Sequence, residues 1–356
     1  MQVLEKDDRI IINWLTDNTS DTFFYAWLRD NTPKNRHKNG QKLTESITID
    51  LESRPKSIKT TENSLWIEWD NGTVEYSYSY LKNMLSKKEY KTTLWSQLSE
   101  YSIFDYQTII SDQKILLECL KNIREYGFTQ ITNVPTETKK LLEVVALFGY
   151  VRETNYGKYY DVIAKNDPEN LADTQLGLPP HTDNPYRNPT PTIQLLHCLK
   201  SDTTGGETIL IDGFNVATKL RENYPEYFEV LSRYLVQFEF KSSEHWLKNE
   251  APIIQLDLQK NIEKIKFNNR SIQPFNFSDD IMLTYYKAYQ YFENQLQNRD
   301  NQLQFKLNPS DLIIYDNERI LHGRTSYSLH GERHLQGCYT DKDALYSKIN
   351  ILEQDV

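Results

Sequence analysis

At 356 residues, with 38% hydrophobic and 26% charged side chains, the chain has an ordinary globular composition and exceeds the size at which one hydrophobic core usually stops growing. Two structural units are therefore expected, one of them small. A formal net charge of -9 excludes the basic, phosphate-tracking surface of a nucleic-acid binder, and no apolar run of about 18 residues offers a membrane span.

Residues Met1 to Asp8 carry neither a basic start nor an apolar h-region, so a cytoplasmic protein is expected. Cys119, Cys198 and Cys338 are too widely separated for a disulfide framework or a thiolate zinc cluster and read as buried thiols. Residues 1–100 read as a small β-rich domain. A strand is predicted over Asp21 to Leu28, and Ser64 to Tyr76 alternates apolar and polar residues about Asn71-Gly72, a hairpin signal. The periodicity fades between Lys82 and Tyr101, which places the domain boundary there, with 101–356 as the second domain. From Lys114 onward Leu116, Leu117, Leu120 and Ile123 recur at helical spacing, and Gly127 to Pro135 reads as a short strand stopped by proline. A second helix is predicted over Thr136 to Phe148, ended by Gly149 as its C′ residue. Short β runs then dominate, at Thr192 to Leu199, Glu207 to Ile211, Leu235 to Phe240, Ile262 to Phe267, Leu312 to Tyr315 and His334 to Thr340, with one helical insert at Asp279 to Gln297. The fold class is mainly β with flanking helices, and the many short strands predict a closed or double-sheet core of the jelly-roll kind.

His181-Thr182-Asp183 places an imidazole and a carboxylate two residues apart, and in an extended segment such side chains point to the same side. His322, shortly after the predicted strand Leu312 to Tyr315, supplies a second imidazole. Two His and one carboxylate on one face of iron(II) leave positions open for a bidentate 2-oxo acid and for O2. Arg333 at the start of the next strand suits a bidentate clamp on the far carboxylate of 2-oxoglutarate, and Thr208 suits an added hydroxyl there. Taken singly, His-x-Asp is a common chance pattern, Arg333 reads equally as a surface ion pair, and Thr208 reads as an ordinary strand threonine. A metal-dependent hydrolase uses the same ligand types but needs neither this arginine nor O2. A silent binding protein of the same fold has no need of all three ligands.

His181-Thr182-Asp183-Asn184-Pro185-Tyr186-Arg187, Gln194-Leu195-Leu196-His197-Cys198, Gly205-Gly206-Glu207, Asp212-Gly213-Phe214, Phe267-Asn268-Asn269-Arg270 and Leu321-His322-Gly323-Arg324 resemble the gamma-butyrobetaine hydroxylase family, part of the taurine-dioxygenase-like group. Trp27-Leu28-Arg29-Asp30-Asn31 and Arg36-His37 extend the resemblance to that family's small N-terminal domain. The resemblance implies a double-stranded β-helix catalytic domain, iron(II) held by His181, Asp183 and His322, and 2-oxoglutarate anchored by Arg333. It implies a homodimer acting with O2 on a small zwitterionic substrate, with no nucleic-acid or membrane partner.

Two departures from the family pattern carry expectations of their own. Thr32 to Gly40 holds no cysteine, so the structural zinc of animal-type members is not expected, and His37 is read as structural. Tyr156 and Tyr160 match two positions of the family's aromatic trimethylammonium cage, whereas Asp173 and Asn184 stand where the family has tyrosine. An aspartate accepts hydrogen bonds from an ammonium that still carries N–H groups, and Asn184, Asn268, Asn269 and Arg270 suit the oxygens of a phosphonate. These features resemble the bacterial branch acting on 2-aminoethylphosphonate or its N-trimethyl form, which is the expected substrate class, with gamma-butyrobetaine as the alternative. In the bland reading Asp173 and Arg270 pair with other residues.

Overall fold

Alternating side chains build the first of the two units into which the chain divides, Met1–Glu89 and Tyr90–Val356. The computed structural model describes residues 1–85, 90–163, 174–328 and 330–354. In the first unit β1 (Gln2–Glu5), β2 (Arg9–Trp14) and β3 (Thr19–Phe24) form one antiparallel sheet, followed by helix α1 (Tyr25–Asp30). A second sheet comprises β4 (Ser57–Thr60), β5 (Ser64–Trp69) and β6 (Gly72–Ser77), followed by helix α2 (Tyr78–Leu85). Ile10, Ile12 and Trp14 of β2 meet Leu65, Ile67 and Trp69 of β5 in the core of this unit. The strand expected over Asp21 to Leu28 is corrected: it ends at Phe24, and Tyr25 and Leu28, three residues apart, both turn inward as one face of α1. The hairpin stands where its Asn-Gly signal pointed, but Trp69 pairs with Gly72, so the loop is Asp70-Asn71. Gly72, at φ 128°, opens the returning strand in a conformation that side-chain-bearing residues avoid.

The second unit begins with β7 (Ile103–Asp105), α3 (Tyr106–Ser111), α4 (Gln113–Tyr126), β8 (Phe128–Thr132) and α5 (Lys140–Ala146). Strands β9 (Tyr160–Ile163), β10 (Leu178–His181), β11 (Ile193–Ser201) and β12 (Thr208–Asp212) lead into helices α6 (Gly213–Asn223) and α7 (Pro225–Arg233). Two hairpin pairs follow, β13 (Val236–Lys241) with β14 (Trp246–Ala251) and β15 (Ile254–Leu256) with β16 (Ile262–Ile265), then the long α8 (Asp279–Gln297). The chain closes with β17 (Leu303–Phe305), β18 (Leu312–Asp316), β19 (Ile320–Arg324), β20 (Arg333–Thr340) and α9 (Lys342–Leu352).

These strands form a larger sheet in the order β7-β8-β18-β11-β20-β9 and a smaller one in the order β10-β19-β12-β17, the double-sheet core of a jelly roll. Both faces of the larger sheet are covered, which explains its unbroken apolar runs. On β18, Leu312 and Ile314 pack outward against α4, α5 and α9, while Ile313 and Tyr315 pack inward with Leu210 and Ile320 of the smaller sheet. Helix α4 ends on left-handed Gly127 at φ 82°, whose N–H caps the Ile123 carbonyl. Gly149 does not play that part for α5, which stops at Ala146. A Cβ on Gly149 would lie 2.7 Å from Cβ of Ala344, so the glycine is there to let α9 approach. No helix among the described residues is long and apolar enough to cross a membrane.

Candidate metal centre

His181 is the last residue of β10 and pairs across the smaller sheet with His322 of β19, which brings the two ring centroids to 4.3 Å. Asp183 follows beyond the strand end, its Oδ1 3.2 Å from Nε2 of His181 and 3.8 Å from Nε2 of His322. The three donor atoms lie within 4.8 Å of one another, and no other such group of His, Cys, Asp and Glu occurs among the described residues.

Protonation matches what a metal requires. Nδ1–H of His181 donates to the carbonyl of Pro179 at 2.9 Å, which selects the tautomer that leaves the Nε2 lone pair facing the cluster. Nδ1 of His322 has no hydrogen-bond partner among the described residues. Burial, helped by the charge of Arg270, lowers the pKa of His181, and burial with His181 alongside pushes His322 down to about 3. Burial alone would favour the acid form of Asp183, but the polar groups around it, the hydrogen-bonding Tyr339 hydroxyl among them, outweigh it and hold the carboxyl well below its usual range. Two neutral imidazoles therefore face an ionised carboxylate. Oδ2 of that carboxylate accepts hydrogen bonds from Tyr339 Oη at 2.8 Å and Gln194 Nε2 at 2.9 Å, leaving Oδ1 for the histidine side. Gln194 and Tyr339 are cross-strand partners on β11 and β20, so the larger sheet holds a group that belongs to the smaller one. Two nitrogen donors and one oxygen, buried and correctly charged, fit iron(II).

Arg333 starts β20 and is buried, with its guanidinium 5.3 Å from the Tyr327 ring and no ion pair among the described residues. A Cβ on Gly206 would come within 3.1 Å of Arg333 Nε, so that glycine clears the floor beneath the guanidinium. Thr208 lies opposite Arg324 on β12, just as Leu210 lies opposite His322, which puts its side chain on the same sheet face as the histidine. A buried arginine without a carboxylate partner among the described residues, beside that face, fits the distal end of 2-oxoglutarate.

An aromatic cluster adjoins Asp183. Tyr160 stands 5.4 Å from Tyr339 and 6.2 Å from Tyr156, Tyr156 stands 6.1 Å from Phe240, and Phe240 stacks on Tyr186 at 5.2 Å. Gln194 Nε2 also donates to Tyr160 Oη at 2.7 Å. Tyr186 Oη donates to Asn184 Oδ1 at 2.6 Å, and the Tyr156 and Tyr186 hydroxyls are 3.1 Å apart. Asn184 sits at φ 55°, and its buried Nδ2 has no partner among the described residues. Arg270 is exposed, yet its charge reaches both metal-facing imidazoles.

The remaining expected site residues stand apart. Both amide atoms of Asn268 are engaged, Nδ2 with the Thr182 carbonyl and Oδ1 with the Arg270 N–H, each at 3.1 Å. Exposed Asn269 bonds Glu293 and Tyr289 of α8, so both asparagine side chains are engaged by the surrounding fold. Asp173 lies outside the described residues. No motif in the sequence assigned a site role to Gln194, Tyr339, Tyr186 or Phe240. Gln194 stood inside a matched motif, but which face of β11 meets Asp183 depends on strand register. Phe240 carried no local signal at all.

The family described as Taurine catabolism dioxygenase TauD, TfdA matches residues 92–339, and the Gamma-butyrobetaine hydroxylase-like N-terminal family matches residues 1–82. The gamma-butyrobetaine dioxygenase of Pseudomonas sp. (strain AK-1) is 30% identical over 97% of this chain and 94% of its own. The mitochondrial trimethyllysine dioxygenase of Mus musculus is 31% identical over 93% of this chain and 82% of its own. Among solved structures, asparagine oxygenase in complex with Fe(II), 2S,3S-3-hydroxyasparagine and succinate shares the fold at a TM-score of 0.52 and 16% identity, over 66% of this chain and 82% of its own. Sequence match, jelly-roll core and donor set together make this chain a member of the TauD/TfdA family of iron(II)- and 2-oxoglutarate-dependent dioxygenases.

Proposed function

We propose that this chain hydroxylates an aliphatic carbon of a small trimethylammonium carboxylate of the gamma-butyrobetaine type, with His181, Asp183 and His322 as the iron(II) ligands. The observation that carries the reading is the aromatic cluster of Tyr156, Tyr160, Tyr186, Phe240 and Tyr339 beside Asp183. The hydroxyls of Tyr156 and Tyr186 are spent on one another and on Asn184, and that of Tyr339 on Asp183. What the cluster offers a cation is ring faces, worth about 2 kcal/mol or more when desolvated. Ring faces favour a quaternary ammonium over a primary one, which needs acceptors for its N–H groups.

The aminophosphonate expectation loses two of its four contacts at the anionic end, because Asn268 and Asn269 are engaged by the fold. The relatives that match along nearly the whole chain carry the names gamma-butyrobetaine and trimethyllysine dioxygenase. The carboxylate is met by Arg270 and by Nδ2 of Asn184, which has no partner among the described residues. Bound iron(II) with 2-oxoglutarate and O2 supplies the oxidative decarboxylation and the hydroxyl group. Arg333 and Thr208 hold the distal carboxylate of the co-substrate, and Gln194 and Tyr339 keep Asp183 ionised and oriented. Holding a short zwitterion at both ends fixes which CH2 faces the metal, where a misplacement of about 1 Å costs roughly a hundredfold.

The test is 2-oxoglutarate-dependent succinate formation with gamma-butyrobetaine, trimethyllysine, 2-aminoethylphosphonate and its N-trimethyl form side by side, in air and without O2. Trimethylated carboxylates are expected to be turned over, in air only, and Arg270→Met to raise their KM. Exclusive use of 2-aminoethylphosphonate would refute the reading, and turnover without O2 would return the hydrolase alternative.

A further inference from the structure

Asp183 is the one ligand of the centre whose backbone the sheet does not hold. Strand β10 ends at His181, and the N–H of Thr182 still finds the Phe267 carbonyl at 2.8 Å. One residue after Asp183 the chain reverses at Asn184, φ 55°. In place of a neighbouring strand, a single side chain takes both main-chain groups of Asp183. Oδ1 of Asn317 accepts from the Asp183 N–H at 2.7 Å, and Nδ2 of Asn317 donates to the Asp183 carbonyl at 3.0 Å. The second Nδ2 hydrogen goes to the Pro191 carbonyl at 2.9 Å, so the amide is fully used, and its exposure is 0%.

The location of Asn317 gives these bonds a direction. It lies in the turn Asp316–Arg319 that joins β18 to β19, five residues before His322. That turn is itself fastened: Asp316 pairs with Lys342 at 2.8 Å, Glu318 with Lys264 and Lys342 at 3.2 Å each, and buried Arg319 with Asp212 at 2.8 Å. One hairpin thus carries a histidine ligand on its strand and, at its tip, the clamp for the carboxylate ligand.

We propose that Asn317 is a positioning residue that sets the distance between Asp183 and His322, and that metal affinity depends on its amide. No other side chain of this length both accepts and donates. Aspartate keeps the acceptor and loses both donors, and alanine loses everything while leaving buried N–H and C=O groups unpaired. The proposal rests on Asp183 being a ligand, so the test includes that residue.

Cobalt(II) is titrated into the full metal-free chain without 2-oxoglutarate or substrate, the Kd is taken from the visible absorption of the bound ion, and thermal melts are recorded in parallel. Asn317→Ala and Asn317→Asp are expected to bind cobalt about 10–100-fold more weakly, the usual cost of losing an outer-sphere partner, with an altered band shape. Lys342→Met, which breaks the ion pairs of the same turn without touching Asp183, is expected to lower the melting temperature and leave the affinity unchanged. Asp183→Ala should bind worst. Parent-like affinity and spectrum in both Asn317 variants, beside a defective Asp183→Ala, would overturn the role of Asn317 alone. The same holds if Lys342→Met loses as much affinity as they do, since general loosening would then explain the effect. Parent-like binding by Asp183→Ala would instead overturn the ligand assignment and the proposal with it. Should Asn317→Ala fail to fold, the aspartate variant carries the comparison.

Discussion

Gly323 separates His322 from Arg324 on β19, and the backbone of β10 runs directly beneath it. A Cβ added there would lie 2.5 Å from the Leu178 carbonyl oxygen, 3.0 Å from Pro180 N and 3.2 Å from Pro179 C. None of these is the movable tip of a long side chain. Ordinary contact begins at 3.4 Å, so Gly323→Ala must move β10 and β19 apart by about 0.9 Å. The two strands end in or contain His181 and His322, so the imidazoles separate with them. Overpacking of this kind costs about 1–3 kcal/mol, which a domain of typical stability survives. A shift approaching 1 Å at the reacting centre costs roughly a hundredfold in kcat/KM. Succinate formation at saturating iron(II), measured beside a thermal melt, checks both numbers. A folded Gly323→Ala variant with parent-like kcat/KM would refute the claim that β10–β19 spacing sets the metal geometry.

Arg333→Met removes the guanidinium above Gly206 at nearly constant volume, and is expected to raise the KM for 2-oxoglutarate roughly 30-fold or more, because truncating one side of a buried charge pair costs about 2–5 kcal/mol. An unchanged KM in the succinate assay would remove Arg333 from the co-substrate site. His197 on β11 is fully buried, and that burial pushes its pKa down to about 4. Its folded pKa thus lies below the unfolded value near 6.5, so the unfolded chain binds the extra proton between these pH values and stability falls as pH drops through that window, by about 2 kcal/mol at pH 5. His197→Leu should therefore show a smaller drop in melting temperature between pH 7 and pH 5 than the parent, and identical drops would contradict this assignment.

The candidate ligand group was legible because it depends on spacing that any extended segment enforces, even though Asp183 proves to lie past the end of its strand. The apolar runs of β11 and β18 were equally plain, since a sheet covered on both faces leaves no polar alternation. What stayed hidden depends on register and on distant folding. Gln194 and Tyr339 meet Asp183 only because β11 and β20 pair them side by side. Phe240 reaches Tyr186 only because the β13–β14 hairpin brings it there. Tyr25 and Leu28 read as strand because aromatic and branched residues suit both conformations, and the core position of both residues decided for a helix. Asn268 and Asn269 had the chemistry expected of substrate contacts, but backbone groups and α8 claimed them first.

The turn Asp316–Arg319 also bears on how this domain opens. Surface turns are normally where chains fray, exchange their amide hydrogens early and tolerate insertions. Here Asn317, Glu318 and Arg319 are 0%, 4% and 2% exposed, and successive side chains reach α9, the segment after β10, β16 and β12. The bonds of Asn317 and Arg319 cannot break without stranding a buried group. The amides of this loop are thus expected to exchange with deuterium as slowly as those of the central strands, and an insertion within it to behave as a core lesion.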